Sequence, residues 1–129
     1  MPEIKADHRE AIIRVSARPA DTNAYGDIFG GWLVSQMDMA AGLIAARYSR
    51  GRAVTIAMDS MQFHKPVSIG DEVSVYGEIQ RVGRTSMTIA IEAWRRHRYE
   101  EERVKVTEAV FTFVAIDDEG KPRAIEQEN

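Results

Sequence analysis

Apolar and polar residues alternate along most of the second half of the chain. From Glu72 to Val82, Val73, Val75 and Ile79 alternate with Ser74, Glu78 and Gln80; from Ser86 to Arg98, Met87, Ile89, Ile91 and Ala93 alternate with Thr88 and Glu92. A period of two is that of a strand with one face buried. The runs from Ala53 to Phe63 and from Val104 to Ile116 have the same character, and so does a first run from Ala11 to Ala17, where Ile13, Val15 and Ala17 share one face. The last four runs each hold at least ten residues. At about 3.3 Å per residue each spans roughly 33 Å or more, enough for a long, curved antiparallel sheet. Short turn signals separate them: Lys65-Pro66 through Gly70-Asp71, then Gly83-Arg84, then the charged stretch from Tyr99 to Arg103.

The period changes after the first run. Pro19 to Gly26 is turn chemistry, and from Phe29 or Gly30 to Tyr48 the residues Leu33, Met37, Ala40 and Ile44 recur four, three and four apart. Ser49-Arg50-Gly51 should end this helix, with Gly51 as a left-handed cap and Arg47 and Arg50 facing the negative end of the dipole. The predicted order is strand, long helix, four antiparallel strands. One helix then packs on the concave face of one sheet, an α+β class. No repeat or linker interrupts the chain, so a single domain is expected over residues 1–129.

Composition narrows the chemistry. A chain of 129 residues that is 44% apolar suits one core, and the formal charge of −3 argues against a nucleic-acid partner. Without cysteine there is no disulfide framework, thiolate metal cluster or thiol nucleophile. The start, MPEIKADHRE, has neither the basic end nor the apolar run of a signal peptide, so a cytoplasmic protein is expected. The stretch from Gly30 to Ala46 carries Ser35, Gln36 and Asp38 and falls short of the ~20 residues that a membrane span needs.

Asp38 is the only ionisable side chain in that stretch. A helix apolar nearly all round needs cover that one sheet cannot give, and a second copy of the chain is the simplest cover. Asp38 stands about 140° around the helix from Leu33, beside Val34, Ala41 and Gly42, with no cation one turn away. Burial there disfavours the charged carboxylate and makes it a better base. Two roles remain open: a structural partner across a subunit contact, or a general base or nucleophile. Gly30 and Gly31 at the helix entry either present unsatisfied N–H groups to an anion or let a strand pass close by. His8, His64 and His97 lack metal-ligand spacing, so no metal site is expected. The cluster Arg95-Arg96-His97-Arg98 is balanced by Glu100, Glu101 and Glu102 and reads as a charged strand end.

Four blocks in order resemble the hotdog-fold acyl-CoA thioesterases, of the short bacterial YciA type: PADTNAYGDIFGGWLVSQMD from Pro19 to Asp38, DSMQFHKP from Asp59 to Pro66, VGRTS from Val82 to Ser86, and AVFTFVA from Ala109 to Ala115. The resemblance implies a hotdog fold, a long helix wrapped by an antiparallel sheet that pairs with its twin, and assembly as a homodimer and further as a trimer of dimers. It implies hydrolysis of acyl-CoA to CoA and a carboxylic acid, with Asp38 as general base or nucleophile and Asn23 positioning water or thioester across the dimer interface. The backbone of Gly30 and Gly31 would polarise the carbonyl. Lys65 and Arg84, with Arg81 nearby, are candidates for the CoA phosphates, aided by Gly83, Thr85 and Ser86. No cofactor is expected, coenzyme A being part of substrate and product. Tyr25 departs from the small polar residue expected of relatives. A hotdog dehydratase would want a histidine beside a helical carboxylate, and none lies between Asn23 and Asp38. The competing class is a non-catalytic acyl-CoA-binding or assembly module of the same fold.

Overall fold

A computed structural model describes residues 10–126. The chain forms β1 (Ile13–Ser16), a single 3-10 turn at Pro19–Asp21, α1 (Gly30–Ser49), β2 (Ala53–Phe63), β3 (Glu72–Val82), β4 (Ser86–Arg96) and β5 (Arg103–Ala115). The strands make one antiparallel sheet in the order β1-β3-β4-β5-β2. β1 is shorter than its alternating run: Ile13 to Ser16 pair with Val75 to Glu72, while Ile12 and Ala17 at its flanks each add one N–H bond, to Val75 C=O at 2.8 Å and Asp71 C=O at 2.9 Å. β4 stops at Arg96, paired with Arg103, because the chain then turns, with Glu100 N–H donating to His97 C=O at 2.9 Å.

The alternation predicts the core correctly. Met87, Ile89, Ile91 and Ala93 of β4 and Phe111 and Phe113 of β5 are buried against Leu33, Met37, Ala40, Ala41 and Ala45 of α1. Each large aliphatic or aromatic side chain so covered contributes about 1.5–3 kcal/mol, which fixes the helix on this face. The outward face of the same strands carries Thr88, Ala90, Glu92 and Thr112, all only partly buried.

Helix and sheet approach closely at Gly77 of β3. A Cβ there would overlap Ile91 Cδ1 and lie 2.8 Å from Ile44 Cδ1 and 3.2 Å from the Ala90 carbonyl oxygen. Gly77→Ala is therefore expected to destabilise the fold by about 1–3 kcal/mol, the usual cost of overpacking a core. Urea denaturation checks this. An unchanged midpoint would mean that the α1–β3 spacing is not set there.

The helix end differs from the expected cap. Arg50, not Gly51, adopts the left-handed conformation (φ 59°, ψ 44°), and its N–H donates to Ala46 C=O. Gly51 serves packing instead. A Cβ on it would lie 2.5 Å from Arg123 Nη2. The Arg123 guanidinium donates to Ser49 C=O at 3.0 Å, to Ser49 Oγ at 3.1 Å and to Arg52 C=O at 3.2 Å, satisfying carbonyls that a helix leaves open at its end.

Candidate active site

Asp38 lies in the middle of α1, on the side that faces the edge strand β2. Its Oδ1 accepts a 2.6 Å hydrogen bond from the Thr55 hydroxyl of β2, and its Oδ2 has no partner among the described residues. Thr55 thus fixes the carboxylate in one orientation and leaves one oxygen free. Asp38 is partly buried, whereas its helical neighbours Ala41 and Ala45 are fully buried in the core and Gly42 lies against the Phe113 ring. Thr55 is the site residue that sequence reasoning missed. A threonine between Val54 and Ile56 is ordinary strand composition, and only the tertiary contact distinguishes it.

Asn23 sits in the tight loop before α1, which is closed by a bridge between Thr22 and Ile28. Its Oδ1 accepts from the N–H groups of Tyr25 at 2.8 Å and Asp27 at 3.1 Å. Two backbone donors on one side-chain atom make that atom the oxygen, so the Nδ2 amide group is left as a donor. Tyr25 projects almost wholly into solvent from this loop, with a relative exposure of 88%. At the helix entry Phe29 N–H donates to Asp21 C=O, and the N–H groups of Trp32 and Leu33 both donate to Phe29 C=O. The N–H groups of Gly30 and Gly31 have no acceptor among the described residues. A Cβ on Gly31 would meet open space, and one on Gly30 would make only ordinary contact with Phe63 at 3.6 Å. Close passage of a strand therefore does not account for the glycine pair.

The predicted residues do not form one cluster within a chain. Eight residues of helix, ~12 Å of rise, separate Gly30 from Asp38, and Asn23 lies beyond Gly30. Asn23 and Asp38 share no hydrogen bond. Lys65 borders a cavity of about 330 Å³ beside the helix entry, together with Gly30 and Phe63. The turn with Gly83, Arg84, Thr85 and Ser86 is at the opposite end of the sheet. There Gly83 N–H donates to Ser86 C=O at 2.8 Å, and the carbonyls of Thr85 and Arg84 accept from Ala115 and Ile125.

His64 bonds Glu108 at 3.0 Å and His97 bonds Asp71 at 2.7 Å, while His8 lies outside the described residues. Hydrogen bonds from Lys105 and then His64 hold the Glu108 carboxyl below its ordinary range. Among the described residues no three metal-binding side chains converge, and no helix is long and apolar enough to cross a membrane. In the basic cluster, Arg95 donates to Pro66 C=O and Arg96 pairs with Glu72 at 2.8 Å, as a charged strand end would.

Comparison with known proteins gives this arrangement a family. Residues 25–102 match the model of the thioesterase superfamily. The chain is 47% identical over 119 residues to the acyl-CoA thioester hydrolase YciA of Escherichia coli K12, covering 90% of each. Among solved structures it is similar to a hexameric thioesterase of Yersinia pestis, with a TM-score of 0.88 at 49% identity over 92% of this chain and 97% of the other. It is equally similar to a hexameric broad specificity acyl-coenzyme A thioesterase, solved as a variant with one aspartate replaced by alanine, with a TM-score of 0.88 at 49% identity over 93% and 88% of the two chains. One long helix on a five-stranded antiparallel sheet is the hotdog fold, and this chain belongs to the thioesterase superfamily that is built on it.

Proposed function

We infer that the protein hydrolyses acyl-CoA thioesters through Asp38, at a site that two subunits complete. The observation that carries this reading is the Asp38 carboxylate itself: one oxygen held by Thr55, the other free, on a helix with no other charge between Gly30 and Ala46. As general base, the free Oδ2 takes a proton from water as the water oxygen bonds to the carbonyl carbon. The C–S bond then breaks, the thiolate takes up the proton, and CoA and a carboxylic acid leave. As nucleophile, the same oxygen attacks the carbonyl carbon, the C–S bond breaks to expel the CoA thiolate, and water then cleaves the resulting anhydride into the carboxylic acid and the restored Asp38 carboxylate, a proton of that water going to the thiolate. Either route needs donors for the carbonyl oxygen, and the free N–H groups at Gly30 and Gly31 with the Asn23 amide supply that chemistry.

Because these donors and Asp38 stand ~12 Å apart along one helix, a carbonyl touching both would take them from different subunits. The open edge of β2 suits such pairing. Val54 and Ile56 are exposed on it, as are Met39 and Leu43 on α1. Two β2 strands meeting antiparallel bring the Phe63 end of one beside the Ala53 end of the other. Lys65 of one subunit then shares an end of the joint sheet with the 83–86 turn of its partner, a fit for the phosphates of one CoA. We extend the reading to a trimer of such dimers, after the hexameric relatives. Hydrolysis needs water and no cofactor. With no cysteine to oxidise, the chain suits the cytoplasm.

Release of free thiol from a panel of acetyl-, butyryl-, dodecanoyl- and benzoyl-CoA tests the reading. Steady turnover of at least one is expected; thiol release no faster than in buffer for all four overturns it.

A further inference from the structure

The edge strand contains an irregularity beside the reactive carboxylate. Thr55 pairs with Phe113, but the next pair is Ala57 with Thr112, so Ile56 is an extra residue in β2. Paired residues share a face, and Phe113 and Phe111 are both buried under α1. Met58, paired with Phe111, therefore stands on the same face as Thr55 and Asp38. In an unbroken strand the period of two would put Ala57 there and turn Met58 away. The bulge substitutes a long thioether for a methyl group about 7 Å along the strand from Thr55.

Met58 is open to occupation. It is 48% exposed over a fully buried Phe111, and Phe63, farther along toward the helix entry, is 52% exposed beside Gly30. Between them Met61 packs against the core. The neighbouring acid of β2, Asp59, pairs with Val110 on the face away from Asp38, so the strip from Met58 through Met61 to Phe63 carries no charge.

We propose that Met58 is a specificity-determining residue that sets the length of acyl chain accepted beside Asp38; this rests on the Asp38 reading above. The acyl chain begins one bond from the carbonyl on which Asp38 acts, and the uncharged strip offers it apolar surface. An unbranched thioether with three rotatable bonds can fold aside for a long chain or fill the space beside a short one.

The test compares kcat/KM for dodecanoyl-CoA with that for butyryl-CoA in the full-length protein. Met58→Trp should lower the dodecanoyl-to-butyryl ratio at least tenfold, and Met58→Ala should raise it. Thr112→Ala, on the outward face of β5, should leave the ratio within about twofold. Circular dichroism confirms folding, and if the tryptophan variant does not fold, the alanine variant decides. A ratio within about threefold of wild type in every folded Met58 variant overturns the proposal, as does an equal shift in Thr112→Ala. If the wild type releases no thiol from any acyl-CoA, the hydrolase reading fails and this proposal with it.

Discussion

Asp38→Asn is expected to lower acyl-CoA hydrolysis by about 10²–10⁴-fold, the usual worth of a positioned proton-transfer group. The substitution is nearly isosteric. An asparagine oxygen can still accept the 2.6 Å hydrogen bond from Thr55, so the side chain keeps its place and loses only its charge and basicity. Binding of CoA should stay within a few-fold, because the phosphate-binding candidates Lys65 and Arg84 are untouched. Thiol release and calorimetric titration with CoA separate these quantities. Turnover by the variant within tenfold of wild type would remove Asp38 from the chemistry. A wild type that binds acyl-CoA without ever releasing thiol would instead be a binding module.

The second large effect is a rescue. Asn23→Ala and Asp38→Asn should each be nearly inactive alone, yet mixing the two after unfolding and refolding together should restore activity. If each site takes Asn23 from one subunit and Asp38 from the other, a mixed dimer has one doubly altered site and one intact site. Random pairing makes half the dimers mixed, so recovery should approach about a quarter of the wild-type rate. If both residues came from the same subunit, mixing would restore nothing. The ~12 Å of helix between Gly30 and Asp38 favours recovery.

Much of the fold is legible in the sequence because its elements are strongly periodic. β2 and β3 begin and end where the alternation does, and the four-three-four spacing of α1 marks the buried face that the structure has. Asp38 is legible for a related reason, since a lone charge in an apolar helix is conspicuous in any sequence. What escapes depends on contacts between distant residues. Thr55 looks like any strand threonine until α1 sets Asp38 above it. The extra residue at Ile56 has no glycine or proline to mark it, so strict alternation turns Met58 the wrong way. Gly51 is a similar case: the guanidinium that needs its space arrives from residue 123, far along the chain.

The four-residue length of β1 has one more consequence. The sheet ends on that side in a strand too short to template another, while β2 offers an eleven-residue edge on the other. A sheet with two long open edges could add chains at both ends without limit. Pairing β2 with β2 uses the same edge of both chains and so closes on itself at two, and any further growth of the sheet would have to start from the other side, where β1 pairs with only Glu72–Val75 of the eleven residues of β3.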